Sequence, residues 1–515
     1  MEKPLSFEVS RTLANLEATE QLGAELALFL RPGDVIALSG DLGAGKTSLA
    51  RTIIRALAPD AGLFDVPSPT FTLVQPYEFT RIPVNHFDFY RLSSEDEAVE
   101  LGFDDREDVV VIAEWPERVA GLLPDERLEV ELADASPGSR KANLRGHGEW
   151  ANRLTRMGLI AEFLENAGLA QTGRRFLMGD ASARRYESLS SDPPMILMDS
   201  PAQPDGPPIR DGKPYSQIAH LAENVTAFAA VAQGLRDAGL SAPQIYESDL
   251  DNGILLIEDF GNDVFGHMIT EGQHDMDEPY QMAVKALVEI AEAQLPEGIT
   301  LPGGELHRVP PFDQGALEIE VELLLDWYWP SAHGAVPSAE QREEYLTIWR
   351  KLWPKLKTHP PVWVLRDYHS PNLLWMADRE GVNRLGIIDF QDAMLGHPAY
   401  DLTSLLQDAR IDVPKDRQKK LLADYIDLRT QRSADFDEAA FLTAFHIMGA
   451  QRISKILGIF MRLKVRDGKP GYLRHMPRLW WYLEDLLQSP DLSDLKAWYD
   501  TYFPPETRER VKKGA

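Results

Sequence analysis

No cysteine occurs among the 515 residues. Disulfides, thiolate zinc sites and cysteine nucleophiles are therefore excluded, and the chain reads as one that folds without staples in a reducing compartment. Positive charge is also scarce: 53 Lys and Arg stand against 81 Asp and Glu, a formal net charge of −28. That sign opposes close approach to a phosphate backbone, so any connection to nucleic acid is expected to run through a partner protein. Long apolar runs are missing as well. The start, MEKPLSFEVS, has no apolar core of signal-peptide length, and later apolar stretches are broken by charge within about 18 residues. A cytoplasmic protein without membrane contact is expected.

What is present suffices for more than one core, since 44% of this length is hydrophobic. Apolar residues recur at helical spacing from Ala18 to Leu30, Arg31-Pro32-Gly33-Asp34 makes a turn, and Val35 to Leu38 reads as a short buried strand. A helix over Lys46 to Leu57 and strands at Val84 to Tyr90, Val109 to Ala113 and Leu128 to Leu132 predict an α/β sheet that ends near residue 133. Ala135 to Gly148 has loop composition, which places a linker there and divides the chain into domains 1–148 and 149–515. Beyond Trp150 come strands at Arg185 to Leu189 and Met195 to Met198, a helix near Ile218 to Ala238, strands to Ile257, and then mostly helices. That order predicts an α+β domain.

Gly40-Asp41-Leu42-Gly43-Ala44-Gly45-Lys46-Thr47 fits G-x-x-x-x-G-K-[ST] between an apolar strand and a helix. Glycines let successive backbone N–H groups turn toward phosphates, Lys46 can reach the terminal phosphates, and Thr47 can hold Mg²⁺. Asp41, Gly43, Ala44, Gly45, Lys46, Thr47 and Ser48 are thus candidate nucleotide-binding residues, and ATP with Mg²⁺ is the expected cofactor pair. Asp88 and Glu114 each stand in or end an apolar strand, where a carboxylate can bind Mg²⁺ or orient water; capping of a following helix or turn is the alternative.

Around this loop GDLGAGKTSLAR, VPSPTFTLVQPYE, HFDFYRL and IAEWPERV closely resemble the TsaE family, the ATPase of bacterial tRNA threonylcarbamoyladenosine synthesis, over about residues 5 to 133. The resemblance implies a P-loop NTPase fold. It also implies a nucleotide-responsive loop at Ser68, Pro69, Thr70 and Thr72, with Asp88 (catalytic) and Glu114 (metal) near the ion and water. Trp115 is included as nucleotide-binding. It further implies ATP hydrolysis that drives TsaB- and TsaD-like partners, which modify adenosine 37 of tRNA; the domain would meet tRNA only indirectly.

A second site is suggested by Asp367-Tyr368-His369-Ser370-Pro371-Asn372, a D-x-x-x-x-N between apolar segments, followed by the strand Leu385 to Ile388 ending in Asp389. In a kinase catalytic loop these become the group that takes the acceptor proton, Asp367, and the metal ligands, Asn372 and Asp389. A turn residue and a strand-end cap are the bland alternative. Asp259-Phe260-Gly261 spells the protein-kinase DFG but precedes the catalytic loop by roughly a hundred residues, whereas a metal aspartate should follow it. Ile254 to Phe260 reads instead as an interlobe hinge.

Over about residues 155 to 500 the segments RRFLMGDASARRYESL, ILMDSP, ILLIEDFG, LRDYHSPNLLW and IIDFQDAMLGHPAYDLTSLLQD resemble the aminoglycoside-phosphotransferase-like kinases, most of all their AmgK branch. A two-lobed kinase-like fold is implied, with an anomeric kinase activity on N-acetylmuramate and N-acetylglucosamine in cell-wall recycling. Gly179, Asp180, Ala181 and Ser182 would form the nucleotide loop, Glu258 and Phe260 would meet adenine, and Asp401 would buttress the catalytic loop. Met195-Ile196-Leu197-Met198-Asp199 lacks the lysine expected to grip phosphate, a place Arg184 or Arg185 could take. That departure keeps a regulatory pseudokinase open, as does a kinase for another alcohol of the aminoglycoside, choline or homoserine type. The two sites are expected to act independently. Trp327-Tyr328-Trp329 and Trp480-Trp481-Tyr482 read as core or pocket wall.

Overall fold

A computed structural model describes residues 6–58, 64–177, 184–272 and 275–513. Two compact units emerge, Met1–Met198 and Asp199–Ala515.

In the first unit β1 (Ser6–Leu13) leads into α1 (Leu16–Phe29), whose N-cap Asn15 side chain accepts from the Ala18 amide. The elements β2 (Val35–Gly40), α2 (Lys46–Ala56), β3 (Val74–Tyr77), β4 (Val84–Asp88), α3 (Glu95–Glu100), β5 (Val110–Glu114), β6 (Arg127–Ser136) and β7 (Ser139–His147) follow. They build a seven-stranded sheet in the order β1-β7-β6-β2-β5-β4-β3. Strand β2 runs parallel to both β5 and β6, and β4 runs parallel to β5. The runs Val35 to Leu38 and Val110 to Glu114 are wholly buried, as expected of central parallel strands. The loop after β2 therefore opens at the carboxyl edge of the sheet, where ligands of such sheets bind.

The linker predicted over Ala135 to Gly148 is not a linker. It forms the β6–β7 hairpin, and β7 lies between β6 and β1 with every residue from Ser139 to His147 paired to a neighbour. Its small and charged residues mimic loop composition because one face of an antiparallel strand can meet water. The following helix α4 (Glu149–Asn166) also belongs to this unit. Buried Asp34, in the turn before β2, accepts two bonds from Arg153 at 2.6 and 2.7 Å and one from the Trp150 indole at 3.1 Å, and so fastens α4 to the sheet. Next come the hairpin β8 (Arg174–Leu177) and β9 (Arg185–Leu189), then β10 (Met195–Asp199), which reaches the unit boundary. The units thus meet at Met198/Asp199 where the sequence reading divided the chain at 148/149.

The second unit starts with α5 (Tyr215–Ile218) and α6 (Val225–Asp237). The single helix expected from Ile218 to Ala238 is broken here because His220 adopts φ 50° and Asn224 caps a fresh helix, its side chain accepting from Thr226 N. The hairpin β11 (Ile245–Asp249) and β12 (Ile254–Glu258) follows. Helices dominate the rest around the 28-residue helix Glu438–Val465, with two short hairpins, Val362–Val364 with Met394–Gly396 and Leu373–Trp375 with Leu385–Ile387. The aromatic clusters are core: the Trp480 indole donates to Tyr328 OH at 3.0 Å, and Trp329 packs on Trp498 and Phe503. Among the described residues no helix is long and apolar enough to cross a membrane.

Candidate functional sites

The first site grows from the turn that joins β2 to α2. At Gly40 an added Cβ would lie 2.2 Å from Leu132 O on β6, so only glycine lets the chain leave the sheet there. Gly43 and Gly45 hold φ of 80° and 106° with open space on their Cβ side, which turns backbone N–H groups outward at the start of α2. Lys46 is buried and donates to the carbonyls of Gly40 at 2.7 Å and Asp41 at 2.9 Å, while its amine sits 3.8 Å from the centre of the Trp115 ring. Burial lowers its pKa, opposed by the fields of Glu114, Glu117, Asp88 and Asp41. Neutral carbonyls are weaker acceptors than phosphate oxygens, so the lysine sits where an anion would draw it off them. The remaining P-loop atoms are ordered by local bonds: Ala44 N donates to Asp41 O, Arg140 donates to Ala44 O, and Thr52 donates to Ser48 O.

Across the sheet Asp88 and Glu114 are neighbours in register on β4 and β5. The Thr47 hydroxyl donates to Glu114 Oε2 at 2.9 Å, and His86 Nε2 meets the other oxygen, Oε1, at 2.9 Å. Asp88 Oδ2 accepts from Ser68 Oγ at 2.8 Å and Thr70 Oγ1 at 2.6 Å, and Oδ1 accepts from Tyr90 N. Lys46, Thr47, Asp88, Glu114 and Trp115 are therefore brought together. Among the described residues no three His, Asp or Glu side chains form a complete metal cage. Hard oxygens from Thr47 and the two carboxylates suit Mg²⁺, which keeps waters and phosphate oxygens in its shell.

The second site lies in the second unit, where Asp401 Oδ2 accepts the Leu365 amide at 2.6 Å and Oδ1 the Arg366 amide at 2.9 Å. This clamps the catalytic loop with Arg366 at φ 69°, a left-handed conformation that a non-glycine residue keeps only when its surroundings hold it. Burial pushes Asp401 up to about 7, against the two amides that favour its carboxylate. The Asn372 amide nitrogen donates to Asp367 O at 2.9 Å and approaches Asp389 Oδ2 at 3.3 Å. Its carbonyl oxygen is thus the atom left to meet a cation beside Asp389, a donor pair that fits Mg²⁺. Asp389 is itself left-handed, φ 58°, and takes a bond from Gln391. Burial would raise Asp367, but Lys455, His369, Arg366 and Arg452 outweigh it and hold the carboxyl below its ordinary value. An ionised carboxylate there can accept a proton.

The expected hinge residues behave differently from one another. Phe260 packs over Gly386, where an added Cβ would lie 2.7 Å from its ring, which ties the hinge to the strand leading to Asp389. Glu258 spends its side chain on Arg379 and Arg236. Gly179, Asp180, Ala181 and Ser182 lie outside the described residues. Arg185 lies over the Phe29 ring, 3.5 Å from its centre, and pairs with buried Glu187 at 3.3 Å.

Residues 13–142 match the family described as threonylcarbamoyl adenosine biosynthesis protein TsaE, and residues 173–442 match the phosphotransferase enzyme family. The chain belongs to both. An N-acetylmuramate/N-acetylglucosamine kinase of Caulobacter vibrioides is 38% identical, the match covering 68% of this chain and 97% of that protein. A kinase of the same name from Pseudomonas aeruginosa is 32% identical over 61% of this chain and 84% of its own length. A tRNA threonylcarbamoyladenosine biosynthesis protein TsaE of Rickettsia conorii is 34% identical over 31% of this chain and 90% of its own length.

Sequence reasoning passed over the buried charges behind the phosphotransferase loop. Glu320 receives Arg366, Lys455 at 2.9 Å and Gln451 at 2.8 Å, and Lys455 also donates to Tyr400 OH at 3.1 Å. Against its burial, the two cations and Gln451 hold Glu320 down to about 2. A signal existed: Glu318, Glu320 and Glu322 punctuate the otherwise apolar helix Gln314–Leu323.

Proposed function

We propose that this chain joins two ATP-using activities: an ATPase serving tRNA N6-threonylcarbamoyladenosine synthesis, and an ATP-dependent kinase of the anomeric hydroxyl of N-acetylmuramate and N-acetylglucosamine. For the ATPase, the supporting observation is the linkage of the P-loop to a carboxylate through Thr47 and Glu114, itself held by His86. Lys46 and the amides of Gly43 to Thr47 bind the phosphates. Asp88 and Glu114 orient the attacking water and, with Thr47, would hold Mg²⁺. The work done by hydrolysis passes to TsaB- and TsaD-like partners, so tRNA is met through them, in the cytoplasm.

For the kinase, the supporting observation is Asn372 bridging Asp367 and Asp389. Asp367 takes the proton of the anomeric hydroxyl as its oxygen attacks the γ-phosphorus of ATP, and the bond to the ADP oxygen breaks. Asn372 and Asp389 would hold Mg²⁺, which offsets charge on the phosphates. The family matches support a functional division between residues 142 and 173. The domain assignment 1–148 and 149–515 is kept as a division of activity, although α4 is fastened to the first sheet.

Phosphorus NMR of the full chain with Mg-ATP and each sugar tests the kinase reading, with Asp367→Asn as control. An anomeric sugar phosphate formed by the wild type alone is the expected result. A regulatory pseudokinase is the second reading, favoured by the lysine-free β10 and by an Arg185 already engaged with Glu187 and Phe29. It predicts no phosphorylated sugar from either protein.

A further inference from the structure

Gln451, Lys455 and Arg462 recur at spacings of four and seven on helix Glu438–Val465, so they share one face. The first two positions are consumed by Glu320, which also holds Arg366, the neighbour of Asp367. That end of the face is thereby fixed to the catalytic loop. Two turns further along, a rise of about 10 Å, comes Arg462.

Arg462 differs from Lys455, which shares its face and is ion-paired. Its Nε is buried without a hydrogen-bond partner, and among the described residues its side chain makes no ion pair. The guanidinium lies over the Tyr215 ring, 5.8 Å from its centre. Nearby Asp467 is already engaged by Arg466 at 2.6 and 3.0 Å. Burial lowers the Arg462 pKa, with the field of Tyr215 and, more weakly, that of Asp467 opposing it and that of Arg466 adding to it. Tyr215 joins this arginine to the loop region, because it opens α5, which packs on helix Gln314–Leu323, the bearer of Glu320.

A guanidinium short of acceptors is costly to bury, and its planar fork matches a carboxylate. The two proposed acceptors differ in one respect that matters here: N-acetylmuramate carries a lactyl carboxylate, and N-acetylglucosamine has none. We propose that Arg462, backed by Tyr215, receives the carboxylate of the acidic amino sugar and so sets the preference between acidic and neutral acceptors. This rests on the kinase reading above. Its gain is selectivity, since the pair forms with one acceptor and not with the other.

The test is kcat/KM of the full-length protein for each sugar, in the wild type, Arg462→Gln and Arg462→Lys. Arg462→Gln is expected to lower the N-acetylmuramate to N-acetylglucosamine ratio by roughly 30-fold or more, mostly through KM for N-acetylmuramate. Arg462→Lys, which keeps the charge and loses the fork, should shift the same ratio by about fivefold and supplies the answer if the glutamine variant does not fold. An unchanged ratio, with both sugars falling in parallel, overturns the assignment and leaves the kinase reading standing. A wild type that phosphorylates neither sugar overturns both.

Discussion

The two ATP sites reach similar chemistry by different routes. The P-loop site draws its candidate phosphate-binding groups from one contiguous stretch, Gly40 to Thr47, and adds carboxylates from two neighbouring strand ends, Asp88 and Glu114. Its lysine and carboxylates are met by hydroxyls, an imidazole and loop carbonyls. The phosphotransferase site collects Asp367 and Asn372 from one loop and Asp389 and Asp401 from two later segments, and keeps the loop in shape with a buried ionic cluster and two left-handed non-glycine residues. A site built on glycine and one strand–helix turn carries its geometry locally. A site built on buried charge depends on the fold of its whole unit.

The comparison can be broken by substitution. Asp367→Asn should lower sugar phosphorylation by about 10³-fold with the ATPase preserved, read by product analysis on the same sample. Glu320→Gln should cost about 3 kcal/mol of unfolding free energy by leaving Arg366 and Lys455 buried without their anion, measured by urea unfolding. Because folded Glu320 titrates at about 2, below its ordinary 4.5, its contribution is complete above pH 4.5 and drains away as pH falls toward 2. The difference between wild type and Glu320→Gln should therefore shrink over that acid range; a constant difference would contradict the ionic account. Lys46→Ala should cut ATP hydrolysis by about 10²-fold while sugar phosphorylation continues. Loss of both activities in a folded protein would show that the sites are not independent. The smallest effect is expected from His86→Gln, about tenfold in ATPase turnover, since this residue acts by orienting Glu114.

Much of both sites was legible because their residues sit at fixed offsets from strong local signals. The glycines and Lys46 follow an apolar strand, and Asp389 follows the end of another at Ile387, so motif and context agree. Helix α2 and strands β4, β5, β6 and β9 were found for the same reason. Strand β7 was not: alternating small and charged residues look like a loop until β1 and β6 are known to pair on both its sides. The break before α6 hinged on a left-handed His220 that no periodicity announces.

By itself the sequence determined which residue types stand together at short spacing: a glycine-rich loop ending in Lys46 and Thr47, carboxylates at strand ends, and Asp367 with Asn372 and Asp389, the groups on which the proposed chemistry draws. Tertiary structure alone decided where the first unit ends, because the Asp34, Trp150 and Arg153 bonds join residues far apart in the chain. It also decided that Glu320 should face Arg366 and Lys455 while, among the described residues, Arg462 Nε finds no hydrogen-bond partner. Such pairings depend on which helix faces meet. Charge acquires that meaning only where packing has removed the water that would otherwise screen it.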